Sequence, residues 1–164
     1  MLTEIEKKRI VREHQRSGPV QTVPLARDLG LEVYHANGWP DDLSGKIVRS
    51  ADRGGPSGFA IFVNAEHHVH RRRFTTAHEI AHFVLHENLI GDGIIDDGLY
   101  RSKLSNQTEW EANQMAADIL MPWSLINREM DLGNDSVQSL ARELQVSPSA
   151  MSIRLGVPFE TTAA

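Results

Sequence analysis

Arg73-Phe74-Thr75-Thr76-Ala77-His78-Glu79-Ile80-Ala81-His82-Phe83-Val84-Leu85-His86 is the stretch on which the reading of this chain turns. Within it His78 and His82 stand four residues apart, with Glu79 between them. A helix turns about 100° and rises about 1.5 Å per residue, so two imidazoles at i and i+4 stand nearly one above the other and can chelate one ion. Glu79 projects to the side of that pair, where a carboxylate can reach a water on the ion without ligating it, as a general base must. Ile80, Ala81, Val84 and Leu85 supply an apolar face, and the spacing predicts a helix from Phe74 through His86 with Thr75 or Thr76 as its cap. Before it, Phe59-Ala60-Ile61-Phe62-Val63 reads as a buried strand and Arg71-Arg72-Arg73 as a polar connection. Glu79 has a competing account. Thr76-x-x-Glu79 has capping-box spacing and would tie the carboxylate to the backbone, whereas a cap at Thr75 leaves it for chemistry.

Two histidines and a water leave one protein ligand to find. One class of such sites places a third histidine six residues beyond the second, after a glycine turn. Here those positions hold Asn88 and Leu85, which excludes that class. His86 lies two turns above His78, about 12 Å along a straight axis, too far to share an ion; it reads as a helix-end residue facing the last carbonyls. Downstream, Glu109, Ala112, Asn113, Ala116, Ala117 and Leu120 fall on one helical stripe whose small residues allow close approach to another helix. Glu109 is therefore the candidate third ligand, with Asn113 one turn on holding a ligating imidazole from behind. Glu111 points about 200° away and is expected to face solvent. The bland alternative is that both acids merely occupy the first turn of a helix, where negative charge is favourable.

Together with Leu99-Tyr100-Arg101-Ser102 and Glu109-x-x-Ala112-Asn113-x-x-Ala116-Ala117-x-x-Leu120-Met121-Pro122, the opening stretch resembles the ImmA/IrrE family of metallopeptidases. Asp41-Asp42-Leu43-Ser44-Gly45-Lys46-Ile47 and the strand from Ala60 to Asn64 also look like segments that precede the motif in that family. The resemblance implies an intracellular zinc endopeptidase of thermolysin-like plan that cuts a transcriptional repressor. It implies His78, His82 and Glu109 as metal ligands and Glu79 as the base. Met115 stands where an aromatic residue is more usual. Members called IrrE carry an extra sensory domain, for which 164 residues leave no room.

Composition sets the outer limits. With 40% hydrophobic and 24% charged residues, this is an ordinary globular composition, enough for one domain with its own core. No apolar run approaches the ~20 residues of a membrane span, and Met1-Leu2-Thr3-Glu4-Ile5-Glu6-Lys7-Lys8-Arg9 is too charged for a secretory signal. The expectation is a cytoplasmic protein. The absence of cysteine leaves only nitrogen and oxygen ligands for a metal, which suits catalytic zinc, with manganese as the alternative. Thr3-x-x-Glu6 announces a first helix ending before Ser17-Gly18-Pro19, and a second runs from Thr22 to Leu29, closed by Gly30. Leu31 to His35, Gly45 to Ser50 and Gly58 to Asn64 read as strands. The fold class expected is α+β: a small three-stranded antiparallel sheet packed on a mostly helical zincin-like domain over residues 1–133, with a helix-turn-helix-like appendage over 134–164. Asn88 to Gln107 reads as a loop.

That loop carries Tyr100, a candidate donor to the oxyanion formed in peptide hydrolysis, although a lone tyrosine also serves as a packing residue. His67, His68 and His70 read as exposed connection residues. The C-terminal pair suggests a second class of function, DNA binding, with Ser147 as cap and Pro148 opening the second helix. Charge speaks against it, because residues 134–164 carry Arg142 and Arg154 against Asp135, Glu143 and Glu160, in a chain of net charge −5. Gln145 also sits where the tight turn favours glycine. A third reading is a metal-bound interaction protein that sequesters a partner without cutting it. The sequence names neither the substrate-binding residues nor the oligomeric state.

Overall fold

Thr3 opens the first helix as its spacing predicts. In the computed structural model, which describes residues 1–97 and 104–158, its hydroxyl accepts from the Glu6 amide while the Glu6 carboxylate accepts from the Thr3 amide, closing the capping box at the start of α1 (Glu4–His14). Helix α2 spans Thr22–Asp28 and ends at Gly30, whose φ of +89° suits glycine. The Gly30 carbonyl then accepts from the Ser57 amide and hydroxyl, fastening this turn to the sheet.

The sheet has four strands: β1 (Glu32–Ala36), β2 (Leu43–Arg49), β3 (Phe59–Asn64) and β4 (Gly93–Asp97), in the order β1-β3-β2-β4. This corrects the expected three-stranded antiparallel sheet in two respects. Strand β1 runs parallel to β3, because β2 and β3 form the antiparallel pair and β1 joins on the far side of β3. Strand β4 pairs with β2 from within the segment expected to be loop. Alternating apolar residues announce that a strand exists but leave its partners open, and β4 has only Ile94 and Ile95 between glycine and acids. Strands β3 and β2 are interior, and β3 has Phe59, Ala60, Ile61 and Val63 all buried.

Helix α3 spans Val69–Ile90, longer at both ends than predicted. His68 is its cap, accepting on Nδ1 from the His70 amide at 3.1 Å, so Arg71, Arg72 and Arg73 are helical and no polar connection precedes the motif. Thr75 and Thr76 are interior and buried, and the Thr76 hydroxyl donates back to the Arg72 carbonyl at 2.9 Å. The capping-box account of Glu79 therefore falls. Arginine is a good helix former, and Arg73 has a packing role: its guanidinium donates to the carbonyls of Val20, Leu144 and Gln145, and burial lowers its pKa. It thereby fastens the C-terminal helices to α3.

Helix α4 (Asn106–Leu120), capped by Ser105, lies along α3, burying Ala112, Ala116 and Leu120 on the predicted stripe. Helices α5 (Trp123–Asp131), α6 (Val137–Leu144) and α7 (Pro148–Leu155) complete the described chain. Gln145 adopts the left-handed conformation between α6 and α7, and Ser147 caps α7 ahead of Pro148, as read from the sequence. Leu140, Ala141, Leu144 and Met151 enter the same core as Ile47, Ile61, Ile80 and Phe83. Among the described residues no helix is long and apolar enough to cross a membrane.

Candidate metal centre

Helix α3 carries His78, Glu79 and His82, and α4 brings Glu109 across to them. His78 Nε2 and His82 Nε2 are 3.1 Å apart, and the Glu109 carboxylate spans them, with Oε2 3.2 Å from His78 Nε2 and Oε1 3.2 Å from His82 Nε2. His82 and Glu79 are fully buried and His78 nearly so. The three ligand atoms form a compact group able to hold a metal ion.

The fit can be tested on these distances. Zinc bonds of about 2.0–2.1 Å in a tetrahedral arrangement put neighbouring ligand atoms about 3.3 Å apart. The 3.1 Å between the two imidazole nitrogens matches one edge of such a tetrahedron, and each nitrogen stands 3.2 Å from one oxygen of the Glu109 carboxylate, which lies across them. The tautomers agree. His78 Nδ1 lies 2.8 Å from Asn113 Oδ1, an acceptor, so its proton sits on Nδ1 and its Nε2 lone pair points at the centre. All three donors are nitrogen or oxygen, and a set of three protein ligands is the one catalytic zinc sites use, with water or substrate completing the coordination.

Glu79 follows His78 on the side of α3 over which strand β2 passes. Gly45 makes that crossing possible: a Cβ there would lie 2.5 Å from Thr75 Cγ2, 3.0 Å from the Phe62 carbonyl oxygen and 3.9 Å from Glu79 Cγ. A side chain at position 45 would push the sheet off the helix one turn before His78 and Glu79.

Several expectations about neighbouring residues change. His86 does not simply close the helix, because α3 continues to Ile90 with a break at His86 itself (φ −130°, ψ 26°). Its Nδ1 lies 3.2 Å from His82 Nδ1 and its Nε2 3.2 Å from Glu111 Oε1. Glu111 accordingly faces His86 and is half-buried, where solvent was expected. His67 is buried with its Nε2 2.7 Å from the Asp41 carbonyl, and Asn64 beside it donates to the Pro40 and Leu43 carbonyls; together they tie the end of β3 to the loop before β2. His68 is exposed as expected. His70 is half-buried, and burial, His68 and Arg73, in that order, hold its pKa below the ordinary imidazole value. Tyr100 lies outside the described residues.

The sequence reading also missed Lys7. Its ammonium, 3% exposed, donates to the Phe83 carbonyl at 3.0 Å, pairs with Glu87 at 2.7 Å and stands 4.1 Å above the Phe83 ring. In an unbroken helix that carbonyl would serve the Glu87 amide, just past the break. No local pattern announces a contact between α1 and α3 across 76 residues of sequence.

With the site in view, comparison with known proteins decides its lineage. A family model described as the IrrE N-terminal-like domain, a peptidase family, matches residues 26–156. The chain belongs to this family. Both helices of the candidate centre fall inside the matched range, as do the four strands. The fold of this IrrE N-terminal-like domain is similar to that of a Mycobacterium tuberculosis transcriptional regulator of solved structure, with a TM-score of 0.61 and 19% identity. The likeness covers 97% of this chain and 48% of the regulator, so the chain spans about half that protein's length. No curated protein sequence matches the chain.

Proposed function

We infer that this chain is a zinc-dependent endopeptidase that hydrolyses a peptide bond in a regulatory protein, with a helix-turn-helix transcriptional repressor as the substrate class. The observation that carries the reading is the cluster of His78, His82 and Glu109, with the imidazole nitrogens 3.1 Å apart and each 3.2 Å from a Glu109 oxygen, assembled from two helices beside a fully buried Glu79. Family membership supports the peptidase chemistry, and the fold's likeness to a transcriptional regulator accords with a regulatory setting.

His78, His82 and Glu109 would hold zinc, or manganese in its place. When bound, the ion supplies Lewis acidity, lowering the pKa of water towards neutrality and polarising a carbonyl. Glu79 takes the proton from the attacking water and later delivers it to the leaving amine, and its burial excludes competing solvent from that transfer. Asn113 keeps the His78 proton on Nδ1. Tyr100 is the proposed oxyanion donor. We place the protein in the cytoplasm and assign residues 134–164 as an appendage packed on the peptidase core.

The DNA-binding alternative gains little from the C-terminal pair. Arg154, one of its two arginines, is engaged internally: it pairs with Asp118 at 2.8 Å, donates to the Met121 carbonyl at 3.0 Å and lies over the Trp123 ring. Zinc-loaded wild type and Glu79→Gln, each added to a host-cell extract whose new protein N-termini are then labelled and sequenced, test the proposal. Cleavage at a defined bond by wild type alone is the expected result. Equal cleavage by Glu79→Gln would remove Glu79 from the chemistry, and binding of a partner by both proteins without new N-termini would favour the sequestering reading.

A further inference from the structure

The second imidazole of the centre is backed differently from the first. His78 leans directly on an amide oxygen of α4, whereas behind His82 stands another imidazole, His86, and behind that a carboxylate, Glu111. We propose that His82, His86 and Glu111 form a one-directional hydrogen-bonded chain that fixes the metal-binding tautomer of His82, making His86 a positioning residue for the centre. This rests on the reading of His78, His82 and Glu109 as ligands.

The direction follows from donor counting. A neutral imidazole carries one N–H and one lone pair. His82 Nε2 faces His78 Nε2 and Glu109, so as a ligand it presents its lone pair there and its hydrogen sits on Nδ1. Facing that hydrogen stands His86 Nδ1 at 3.2 Å, which must accept and therefore carries a lone pair. The His86 hydrogen then sits on Nε2, 3.2 Å from Glu111 Oε1, and an ionised carboxylate only accepts. Each assignment forces the next, and the chain ends on a negative charge, which strengthens His82 as a donor to a cation.

The backbone is arranged for this contact. His86 alone leaves helical geometry within α3, and the two rings meet at a centroid distance of 5.4 Å and a tilt of 52°. The Phe83 carbonyl beside the break is served by Lys7 from α1, which also holds Glu87, so the bend is braced from another element. Glu111 comes from α4, two residues beyond Glu109. One helix thus supplies a ligand to the ion and, two residues further on, the end of the chain behind another ligand.

The test is zinc affinity by competition with a chromophoric chelator, on folded protein checked by circular dichroism, together with nitrogen-15 imidazole spectra of the zinc-loaded chain. His86→Leu and Glu111→Ala are expected to weaken zinc about 10–100-fold. His86→Asn, whose Oδ1 takes the place of Nδ1 as acceptor, recovers most of the loss, and Glu111→Gln, which keeps the acceptor oxygen but not the charge, falls between Glu111→Ala and wild type. The spectra should show His82 protonated on Nδ1 and His86 on Nε2. Unchanged affinity in both His86→Leu and Glu111→Ala, or a His86 hydrogen on Nδ1, overturns the proposal while leaving the metal centre standing. Absence of zinc binding in wild type overturns the centre and the proposal together. Glu111, with its side chain 43% exposed, can be replaced without opening the core, so the test does not depend on His86→Leu folding.

Discussion

Gly45→Ala probes how closely strand β2 must approach helix α3. The added Cβ would stand 2.5 Å from Thr75 Cγ2, whereas apolar carbons settle near 3.5 Å, so about 1 Å has to open. The Phe62 carbonyl at 3.0 Å blocks retreat along the ladder, because β2 and β3 are paired there, with Lys46 opposite Phe62. Thr75 is buried in α3, three residues before His78 and four before Glu79, so movement of its turn is passed to both. Overpacking of this kind costs about 1–3 kcal/mol, or a Tm lower by about 2–12 °C for a chain of this size. A 1 Å misplacement of reacting groups costs about 100-fold in rate. Thermal unfolding and turnover on a peptide spanning the identified cleavage site measure the two effects. Thr75→Ser in the Gly45→Ala background deletes the clashing methyl and should restore most of both. A Gly45→Ala protein with wild-type Tm and turnover would refute the reasoning, as would a double variant no better than the single one.

Three further outcomes are expected. Asn113→Ala removes the acceptor 2.8 Å from His78 Nδ1 and should weaken zinc about 10–100-fold in chelator competition; unchanged affinity would show that His78 needs no such partner. Lys7→Ala strands Glu87 and the Phe83 carbonyl, and should lower stability by about 2–4 kcal/mol in denaturant titration, with a loss below 1 kcal/mol counting against a bracing role. Gln145→Gly relieves a non-glycine residue at φ 56°, ψ 47°, and should raise stability by about 0.5–1 kcal/mol in the same assay, since Arg73 holds only the backbone carbonyl there; destabilisation would contradict this.

What the sequence made legible was whatever a short-range pattern encodes. Thr3 and Glu6 announce α1, Ser147 and Pro148 announce α7, and Gln145 stands out as the wrong residue for its turn. The spacing of His78 and His82 brings their imidazoles side by side as expected, and the stripe through Ala112 and Ala116 puts Glu109 against them. What stayed hidden depends on contacts distant in sequence. Strand β1 joins β3 across an intervening strand, and no periodicity states a partner. Arg71, Arg72 and Arg73 look like a solvated connection until Arg73 is seen to serve three distant carbonyls. A straight helix carries His86 away from the ion, which is true of ligation and silent about what stands behind His82.

Calorimetric titration of zinc into metal-stripped wild type, Glu109→Ala and Glu79→Gln measures whether one ion is held by the two helices. The prediction is one site per chain in wild type, the same site in Glu79→Gln, and affinity lowered in Glu109→Ala by more than the about 10–100-fold typical of an outlying partner. No site in wild type, or equal binding in Glu109→Ala, would contradict it.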